Sequence, residues 1–312
     1  MKKIFLVTAA VAALLACGFA KNKSENVVKV KVCKVIEHEA LNSVVAGMRD
    51  YLNSQSEKKY EISVETCQGQ MALASQIIAK FVSSNADVIV TVGTIPSQAA
   101  YKFAKAGQTK VVFSSVTNPA DITKDFKNSN MTGVSNFVAL EPQLALFREM
   151  QTNLRRLGMI YNTSEANSAF IIEDIKPICK KMEIELVIQG ISKISELPQA
   201  LEKMQKKVDA IFISNDNMAL SGMEIIVETC AKNNIPVYVS DTDQVEKGCV
   251  AALGPNQYDI GVQTGKIVQK IADGKDVNEI AIQYPEKTEL YLNTKSVLKI
   301  PDAVKSRAKK IF

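Results

Sequence analysis

The sequence of 312 residues contains no tryptophan and a single histidine, His38. A lone histidine excludes any site that needs two, and a Ser-His-Asp hydrolase would have to use His38 itself. The chain has no G-x-S-x-G nucleophile elbow, no P-loop and no G-x-G-x-x-G fingerprint. No two cysteines have the C-x-x-C spacing of a metal site. We therefore predict a protein that is not an enzyme, with no catalytic residues, no metal and no cofactor.

The charge balance gives no sign of a polyanionic partner. The 38 basic and 33 acidic residues leave a net charge of +5, spread along the chain apart from a basic tail over 305–310. A nucleic-acid-binding surface would combine a basic face with interleaved aromatic residues, and the sequence lacks one. The length and the 46% hydrophobic content are sufficient for two globular domains with full cores. We predict no nucleic-acid partner.

The first 26 residues predict export. Two lysines precede an apolar run over 4–16, which is too short to span a bilayer and suits the hydrophobic region of a signal peptide. The run ends in Leu14-Leu15-Ala16-Cys17-Gly18, which resembles the bacterial lipobox, whose cysteine becomes the lipidated first residue. Cleavage at Gly18-Phe19-Ala20 is the alternative and would release a soluble protein. The protein is thus expected either at the membrane, anchored at Cys17 with 21–26 as a tether, or free in the periplasm.

Five cysteines remain after Cys17, so not all of them can pair. One disulfide is possible in an exported protein, but the sequence does not select it. Apolar surroundings indicate that at least two are small core residues. The five are Cys33, Cys67, Cys179, Cys230 and Cys249.

The stretch 210–217 reads Ala-Ile-Phe-Ile-Ser-Asn-Asp-Asn, which predicts a short buried strand followed by a polar loop. A helical pattern follows, and the same order of strand, polar loop and helix recurs along the chain. Strands separated by helices predict parallel sheets. We predict an α/β fold of two Rossmann-like lobes with parallel sheets, joined by a hinge of more than one crossover. Lobe 1 is predicted to comprise 27–137 plus 255–285, and lobe 2 to comprise 138–254 plus 286–312.

Some local predictions are specific. Pro96 is predicted at the first position of a helix, where proline is favoured. Ser195 is predicted to cap a helix over 196–205. One unbroken helix is expected over 219–233, and a short helix is expected to start over 296–299.

Polar side chains follow almost every predicted strand. Ligands of open parallel sheets bind beyond the carboxyl ends of the strands, so these side chains are expected to face one cleft between the lobes. Each one alone could be a helix cap or turn residue, worth about 1 kcal/mol, and His38 could instead be hydrogen-bonded within its own lobe. The set is Glu37, His38, Gln68, Thr94, Ser97, Ser115, Thr117, Asn118, Asn162, Glu165, Asn167, Asn215, Asp216, Asn217, Asp241 and Asp243.

The mixture of groups favours a zwitterionic ligand. The segment Thr94-Ile95-Pro96-Ser97 offers a helix N-terminus with hydroxyl groups, which suits a carboxylate. Asp216 and Asp241 could neutralise an ammonium group, and Asn215 and Asn217 add directed hydrogen bonds. No lysine or arginine is expected at these strand ends, which disfavours phosphate or a polyanion.

Several of these segments together resemble one family, the substrate-binding lipoproteins of ABC transporters of the tryptophan/tyrosine-uptake type. The resemblance covers about 27–299, and its Ser-Glu-Ala-Asn-Ser and Ser-Asp-Thr-Asp segments are specific. The segments are Glu37-His38-x-Ala40-Leu41, Gln68-Gly69, Thr94-x-Pro96-x-Gln98-Ala99, Val116-Thr117-Asn118-Pro119, Thr132-Gly133-Val134-Ser135, Tyr161-Asn162-x-Ser164-Glu165-Ala166-Asn167-Ser168, Asn215-Asp216-Asn217, Ser240-Asp241-Thr242-Asp243, Gly248 and Ala251-Ala252-Leu253-Gly254.

The resemblance implies a type I periplasmic-binding-protein fold with three hinge crossovers. It also implies that the protein binds an amino acid, often an aromatic one, and delivers it to an ABC permease driven by a separate ATPase. Carried onto this chain, the ligand contacts would be Thr94, Ile95, Pro96, Thr117, Asn162, Glu165, Asn167, Asn215, Asp216, Asn217 and Asp241.

The chain departs from the family pattern at two places. Asn118 stands where members more often have aspartate, and Asn215 stands where they more often have threonine, which leaves the identity of the ligand open. Because tryptophan is absent, stacking on a ligand ring would have to come from other aromatic residues. The plausible ones are Phe137, Tyr161, Phe212 and Tyr258.

Other functions on the same fold remain open from sequence. A sensor would present the same two lobes to a signalling partner, and a repressor effector domain would need a DNA-binding segment that the chain lacks. A glycosidase would need two facing carboxylates, whereas Asp241 and Asp243 are two apart in an extended segment and face opposite ways.

Overall fold

The computed structural model describes residues 27–312, so Cys17 and the predicted signal peptide and tether lie outside the described residues. The first of its two sheets has five parallel strands in the order β2-β1-β3-β4-β5. The central strands β3 and β4 are fully buried and rich in valine, as expected of a parallel sheet covered on both faces. The strands are β1 Val27–Lys34, β2 Lys59–Thr66, β3 Val88–Val92, β4 Val111–Val116 and β5 Met131–Ser135.

The second sheet has seven strands in the order β12-β11-β10-β9-β8-β6-β7. All neighbours pair in parallel except β10 and β11, which are antiparallel. The two-residue strand β12 was not predicted from sequence. The strands are β6 Arg156–Asn162, β7 Glu185–Ile191, β8 Ala210–Ile213, β9 Val237–Val239, β10 Ala251–Gly254, β11 Glu289–Leu292 and β12 Lys310–Ile311.

Helices cover both sheets and connect the parallel strands. Their apolar faces complete a separate core on each sheet. The helices are α1 Glu39–Asn53, α2 Met71–Ser83, α3 Thr94–Lys105, α4 Leu140–Met150, α5 Ala166–Lys181, α6 Leu197–Met204, α7 Asn217–Ser221, α8 Met223–Lys232, α9 Gln257–Ala272 and α10 Asp302–Lys305. Within residues 27–312, none of them combines the length and the apolar character needed to cross a membrane.

The chain passes between the two sheets three times. It leaves the first sheet after β5, returns after β10 to place α9 against α1 and β4, and leaves again before β11. Near the last passage Gln283 pairs with the edge of the first sheet, where its N–H donates to Gly133 and its carbonyl accepts from Ser135. The predicted fold, two α/β lobes joined by three crossovers, is confirmed. The residue limits of the lobes, 27–137 with 255–285 and 138–254 with 286–312, stay a prediction.

Four local predictions were wrong. Helix α3 begins at Thr94 after Gly93, whose φ of 100° suits glycine, so Pro96 is the third helical residue and not the first. The helix predicted over 219–233 is interrupted at Gly222, where glycine has a low helix propensity, and a side chain at this position would meet Leu197. Ser195 lies in a 3-10 turn and caps nothing, and residues 296–299 have an irregular backbone before α10.

The five cysteines of the described chain are all free and buried, so the possible disulfide is not formed among them. They are small core residues. Burial raises the pKa of the Cys179 thiol to about 11 and that of Cys230 to about 12, which keeps these thiols protonated.

Candidate functional site

Three asparagine side chains surround the carboxylate of Glu165 at the carboxyl edge of the second sheet. Its Oε1 accepts a hydrogen bond from Asn162 Nδ2 at 2.9 Å. Its Oε2 accepts from Asn167 Nδ2 at 3.1 Å and from Asn217 Nδ2 at 2.6 Å. Asn162 ends β6, Asn167 lies in the first turn of α5 and Asn217 begins α7. The strand–loop–helix pattern thus brings three elements together around one acid.

Glu165 is almost completely buried, and burial raises its pKa to about 7, with a further contribution from the charge of Asp216. The three amide donors act in the opposite direction and favour the ionised form, but they bring no positive charge. The wall of lobe 2 therefore carries a carboxylate that a cationic group could still stabilise.

Asp216 differs from Glu165 because donors of its own lobe surround its carboxylate. Oδ2 accepts from the Asn162 N–H at 2.5 Å and from Ser168 Oγ at 2.6 Å. Oδ1 accepts from the Ala219 N–H at 2.8 Å, which caps α7. These bonds tie β6, α5 and α7 together, so the role of ammonium partner proposed from sequence is better met by Glu165 or Asp241.

Asp241 follows β9 and is fully buried. Oδ1 accepts from the Asp243 N–H at 3.2 Å, which caps the 3-10 turn Thr242–Gln244, and Oδ2 accepts from Gln244 Nε2 at 3.2 Å. A carboxylate can accept about four hydrogen bonds, so Asp241 keeps acceptor capacity. Burial, followed by the charge of Asp243, raises the pKa of Asp241 to about 7.

The opposite wall, in lobe 1, is formed by the start of α3. Thr94, Ile95 and Pro96 occupy its first turn and are all buried. The N-cap is Gly93, which has no side chain to accept hydrogen bonds from that turn. The first N–H groups of a helix have no acceptor within the helix, so this end can take an anionic group.

Thr117 and Asn215 meet at Asn136, where the chain leaves the first sheet. Thr117 Oγ1 donates to Asn136 Oδ1 at 3.1 Å, and Asn215 Nδ2 donates to the Asn136 carbonyl at 3.0 Å. Both side chains therefore help to hold the two lobes at a crossover.

A lysine does stand at one strand end, contrary to the prediction. β1 ends at Lys34, which is buried, and its Nζ donates to Glu37 at 2.6 Å and to Asn42. Lys34 lowers the pKa of the Glu37 carboxyl. The Lys34 ammonium group is therefore paired with Glu37 within the same lobe.

Five buried polar atoms with no hydrogen-bond partner belong to residues at the carboxyl ends of strands or in the segments that follow them. Such atoms are rare in folded proteins, so each of these can form a hydrogen bond with a bound molecule. In residues 27–312, two others lie elsewhere, in Asp121 and Ser296. Those on the walls are His38 Nδ1, Thr94 Oγ1 and Ser115 Oγ from lobe 1, and Asn167 Oδ1 and Gln244 Oε1 from lobe 2.

Three direct contacts connect the two lobes on one side of the cleft. They join α1 and the residue before it to the start of α7 and to the segment between β9 and β10. Each is polar, and each would break if the lobes moved apart. The contacts are His38 Nε2 to Asn217 Oδ1 at 3.3 Å, Ser43 Oγ to Asp243 Oδ2 at 2.9 Å, and an ion pair between Glu39 and Lys247.

His38 is thus hydrogen-bonded to the opposite lobe and not within its own. Burial lowers its pKa to about 4, so it is neutral near pH 7. A cavity of about 540 Å³ opens beside it between the lobes. Its lining includes Glu37, His38, Glu39, Leu220, Met223 and Lys247.

Three residues with unpartnered wall atoms, His38, Ser115 and Gln244, were not among the ligand contacts expected from sequence. Ser115 was named only as one of many strand-end polar residues, and Gln244 gave no signal because it lies inside a turn. Asn118, where the family usually has aspartate, caps the 3-10 turn Pro119–Asp121 and donates to Asp121 at 2.9 Å. Phe212 packs in the core against Phe147 and is not available for stacking.

Two α/β lobes, three crossovers and a cleft lined by unsatisfied polar atoms define a hinged protein that closes on a small molecule. The match to known proteins gives the family. The model of the ABC transporter substrate binding protein family matches residues 29–311, and the chain belongs to that family. Members bind a small molecule outside the cytoplasm and deliver it to an ABC permease, which confirms the predictions of a binding protein and of no enzymatic activity.

Three similar proteins illustrate the family. A tyrosine-binding protein of Clostridioides difficile is 28% identical over 298 residues, which are 93% of this chain and 86% of that one. The structure of a Streptococcus pneumoniae ABC domain in complex with L-Trp is 25% identical, with a TM-score of 0.84 over 91% of this chain and 99% of that one. A substrate-binding protein with adhesive properties from Clostridium difficile, in a ligand-free open structure, is 26% identical, with a TM-score of 0.67 over 91% and 98%.

The ligand-bound structure resembles this chain more than the open one does. Identity and coverage are nearly the same for both, so the difference in TM-score does not follow from sequence divergence. Together with the three contacts between the lobes, it indicates that the lobes of this protein are closed.

Proposed function

We propose that the protein is the substrate-binding component of an importer for an aromatic amino acid, namely tryptophan, tyrosine or phenylalanine. The observation that carries the proposal is the set of unpartnered buried polar atoms on both walls of the cleft. Relatives that bind tyrosine and L-Trp support the ligand class. Family membership favours transport over the alternative of a signalling protein.

The two ends of a zwitterion fit the two walls. The carboxylate would lie at the start of α3, near Thr94, Ile95 and Pro96. The ammonium group would lie near Glu165 and Asp241, which lack a cationic partner in their hydrogen-bond shells. The remaining assigned contacts are Thr117, Asn162, Asn167, Asn215, Asp216 and Asn217.

Aromatic side chains are available where the chain enters lobe 2. Phe137 and Phe170 form an edge-to-face pair with ring centroids 5.9 Å apart, and Tyr161 is half-buried in the same core. Phe137 follows the first crossover and Tyr161 lies one residue before the end of β6. Edge and face contacts with such rings would favour an aromatic ligand over an aliphatic one.

Membrane attachment through a lipid on Cys17 is part of the proposal. The lipobox-like segment supports it, and the family works outside the cytoplasm. The mass of the mature protein would distinguish a lipidated N-terminal Cys17 from a chain cleaved after Ala20.

The function is tested by thermal denaturation of the purified protein with a panel of amino acids, purines and sugars. A ligand at a hundredfold excess over its Kd stabilises the folded state by about 2.7 kcal/mol. For a chain of this size we expect Tm to rise by roughly 5 °C or more with at least one of Trp, Tyr and Phe. No shift with any amino acid, and a shift with a sugar or purine, would contradict the proposed ligand class.

The ion pair between Glu39 and Lys247 should contribute to closure. Both side chains are about half exposed, so the pair is worth at most about 1 kcal/mol. Because it exists only when the lobes are together, its loss reduces the closed population and raises the apparent Kd. We expect Lys247→Ala to weaken binding up to about fivefold, measured by calorimetry.

Lys232→Ala is the matched control for Lys247→Ala. Lys232 pairs with Glu228 within α8, so this pair does not span the cleft. Its removal should leave the Kd unchanged. Equal effects of the two substitutions would show that the ion pair across the cleft has no part in closure.

A further inference from the structure

Ser115 occupies an irregular position in β4. The neighbouring strand β5 pairs Val134 with Ser114 and Ser135 with Val116, so Ser115 has no partner and forms a β-bulge. Its φ is 54°, in the left-handed region that serine seldom adopts. Bulges redirect a side chain, and strained backbone concentrates at ligand-binding positions.

The bulge changes the direction in which this edge of the sheet presents its hydroxyl groups. Ser114, one residue earlier, is bonded to Thr264 Oγ1 of α9 at 2.7 Å, so its hydroxyl serves the packing of lobe 1. Ser115 is buried with 6% of its surface exposed, yet its Oγ has no partner. The hydroxyl is therefore withdrawn from water without a bond within the protein.

Ser115 lies beside the start of α3. The Gly93 N–H donates to the Ser114 carbonyl at 2.9 Å, which aligns the residues that follow β3 with those that end β4. Thr94, the next residue after Gly93, is buried with 2% of its surface exposed, and its Oγ1 is also unpartnered. Two free hydroxyl groups thus adjoin a helix N-terminus that has no side-chain cap.

We infer that Ser115 is a ligand-binding residue, and that its hydroxyl joins that of Thr94 and the first turn of α3 to bind the carboxylate of the ligand. The inference rests on the proposed function and adds a specific contact to it. The hydroxyl groups and the helix N–H groups are donors for an anionic group, and the left-handed backbone at Ser115 is what presents one of them.

Glycine gives the sharpest test at this position. Ser115→Gly removes the hydroxyl and also relieves the strain, because glycine adopts a φ of 54° freely. The variant should therefore unfold at the same or a higher temperature than the wild type. A hydrogen bond to a charged group changes affinity by roughly tenfold, so we expect the Kd for L-tyrosine, or for the aromatic amino acid that binds best, to rise by about that factor. Ser115→Ala should show the same loss of affinity without the gain in stability.

The carboxylate assignment is tested with the matching amino-acid amide, which keeps the ring and the ammonium group. The Kd for this amide should differ little between the wild type and Ser115→Gly. Ser129→Ala serves as a control, because Ser129 is a buried residue before β5, at the end of the sheet opposite to Ser115. Its hydroxyl donates to the Phe126 carbonyl at 2.8 Å, so its loss should affect stability and leave the Kd for the ligand unchanged.

Three outcomes would overturn the inference. A Kd within twofold of the wild type for both Ser115 variants would show that the hydroxyl does not contact the ligand. An equal loss for the acid and its amide would place the contact elsewhere on the ligand. If the wild type binds no amino acid, the proposed function fails and the inference fails with it, whereas normal binding by the wild type with either of the first two results removes the inference alone.

Discussion

Replacing Asp241 with asparagine is expected to weaken binding of the amino acid by about 30-fold to more than 1,000-fold, which corresponds to roughly 2–5 kcal/mol. Asp241 is fully buried at the end of β9, and the donors on its oxygens are a backbone N–H and the Gln244 amide. A ligand ammonium in this closed site would supply the missing positive charge. Removal of the acid would leave that ammonium buried without a counter-charge, which is costly.

The substitution of asparagine for Asp241 tests the charge alone, because the surrounding hydrogen bonds can accommodate an asparagine side chain. Its Oδ1 can keep the hydrogen bond from the Asp243 N–H, and asparagine is a favourable capping residue. Its amide can donate to Gln244, whose Oε1 is unpartnered when Asp241 is present. The unliganded variant should therefore be at least as stable as the wild type. Calorimetry should show lost affinity with an unchanged or higher Tm.

The same residue predicts the pH dependence of binding. Burial and Asp243 raise the pKa of Asp241 to about 7, and the ligand ammonium requires the ionised form. Below pH 7 the carboxyl must first lose a proton, so wild-type affinity should rise between pH 6 and pH 8. Asp241→Asn should reduce that rise, and Glu165, with a pKa also raised to about 7, would account for the remainder.

Two comparisons make the Asp241 result interpretable. Asp174→Asn makes the same change on α5, away from the strand ends, and should leave the Kd and its pH dependence unchanged. Asp216→Asn should lower stability more, because the Asp216 carboxylate holds Asn162, Ser168 and Ala219. If Asp241→Asn binds the ligand as tightly as the wild type, Asp241 does not pair with the ammonium.

The architecture could be predicted because its signals are local. Apolar runs of strand length, such as 88–92 and 210–213, alternate with amphipathic segments of helix length, and that order permits few topologies other than parallel sheets. The direction of parallel strands then places the following polar loops at one edge. The location of the candidate site follows from this without any knowledge of side-chain contacts.

The different roles of Glu165 and Asp216 could not be predicted in the same way. Glu165 and Asp216 both precede a helix and follow a strand, so their sequence contexts are alike. The two carboxylates differ in their hydrogen-bond donors. Asp216 accepts from the Asn162 N–H at the end of β6 and from Ser168 in α5, whereas Glu165 accepts from amide side chains such as that of Asn217. Such contacts depend on which strands are neighbours in the sheet.

The bulge at Ser115 also lacked a sequence signal. Serine is uncommon at positive φ, and the sequence placed Ser115 in the polar segment that follows a strand. The interruption of the helix at Gly222 had a weak signal, because glycine has a low helix propensity. Leu197, 25 positions earlier, packs where a side chain at Gly222 would project, and a propensity argument cannot show such a contact.

Replacing Gly261 with leucine is expected to lower the free energy of unfolding by about 3 kcal/mol or more. Helices α1 and α9 pack with their backbones in contact, and a Cβ on Gly261 would lie 2.1 Å from the Val44 carbonyl oxygen and 2.9 Å from the Met48 amide nitrogen. Backbone atoms cannot move aside as a side-chain tip can, so the helices must separate. Since α9 follows directly after a crossover, their separation would also disturb the hinge.

The control is Lys270→Leu, which adds the same side chain to an exposed position of α9. Leucine is a better helix former than glycine by about 1 kcal/mol, so propensity alone would make Gly261→Leu stabilising. Helix propensity and the clash with α1 therefore change the free energy of unfolding in opposite directions, and urea denaturation measures which effect is larger. A midpoint equal to or above that of the wild type would mean that α1 and α9 are not in backbone contact in solution.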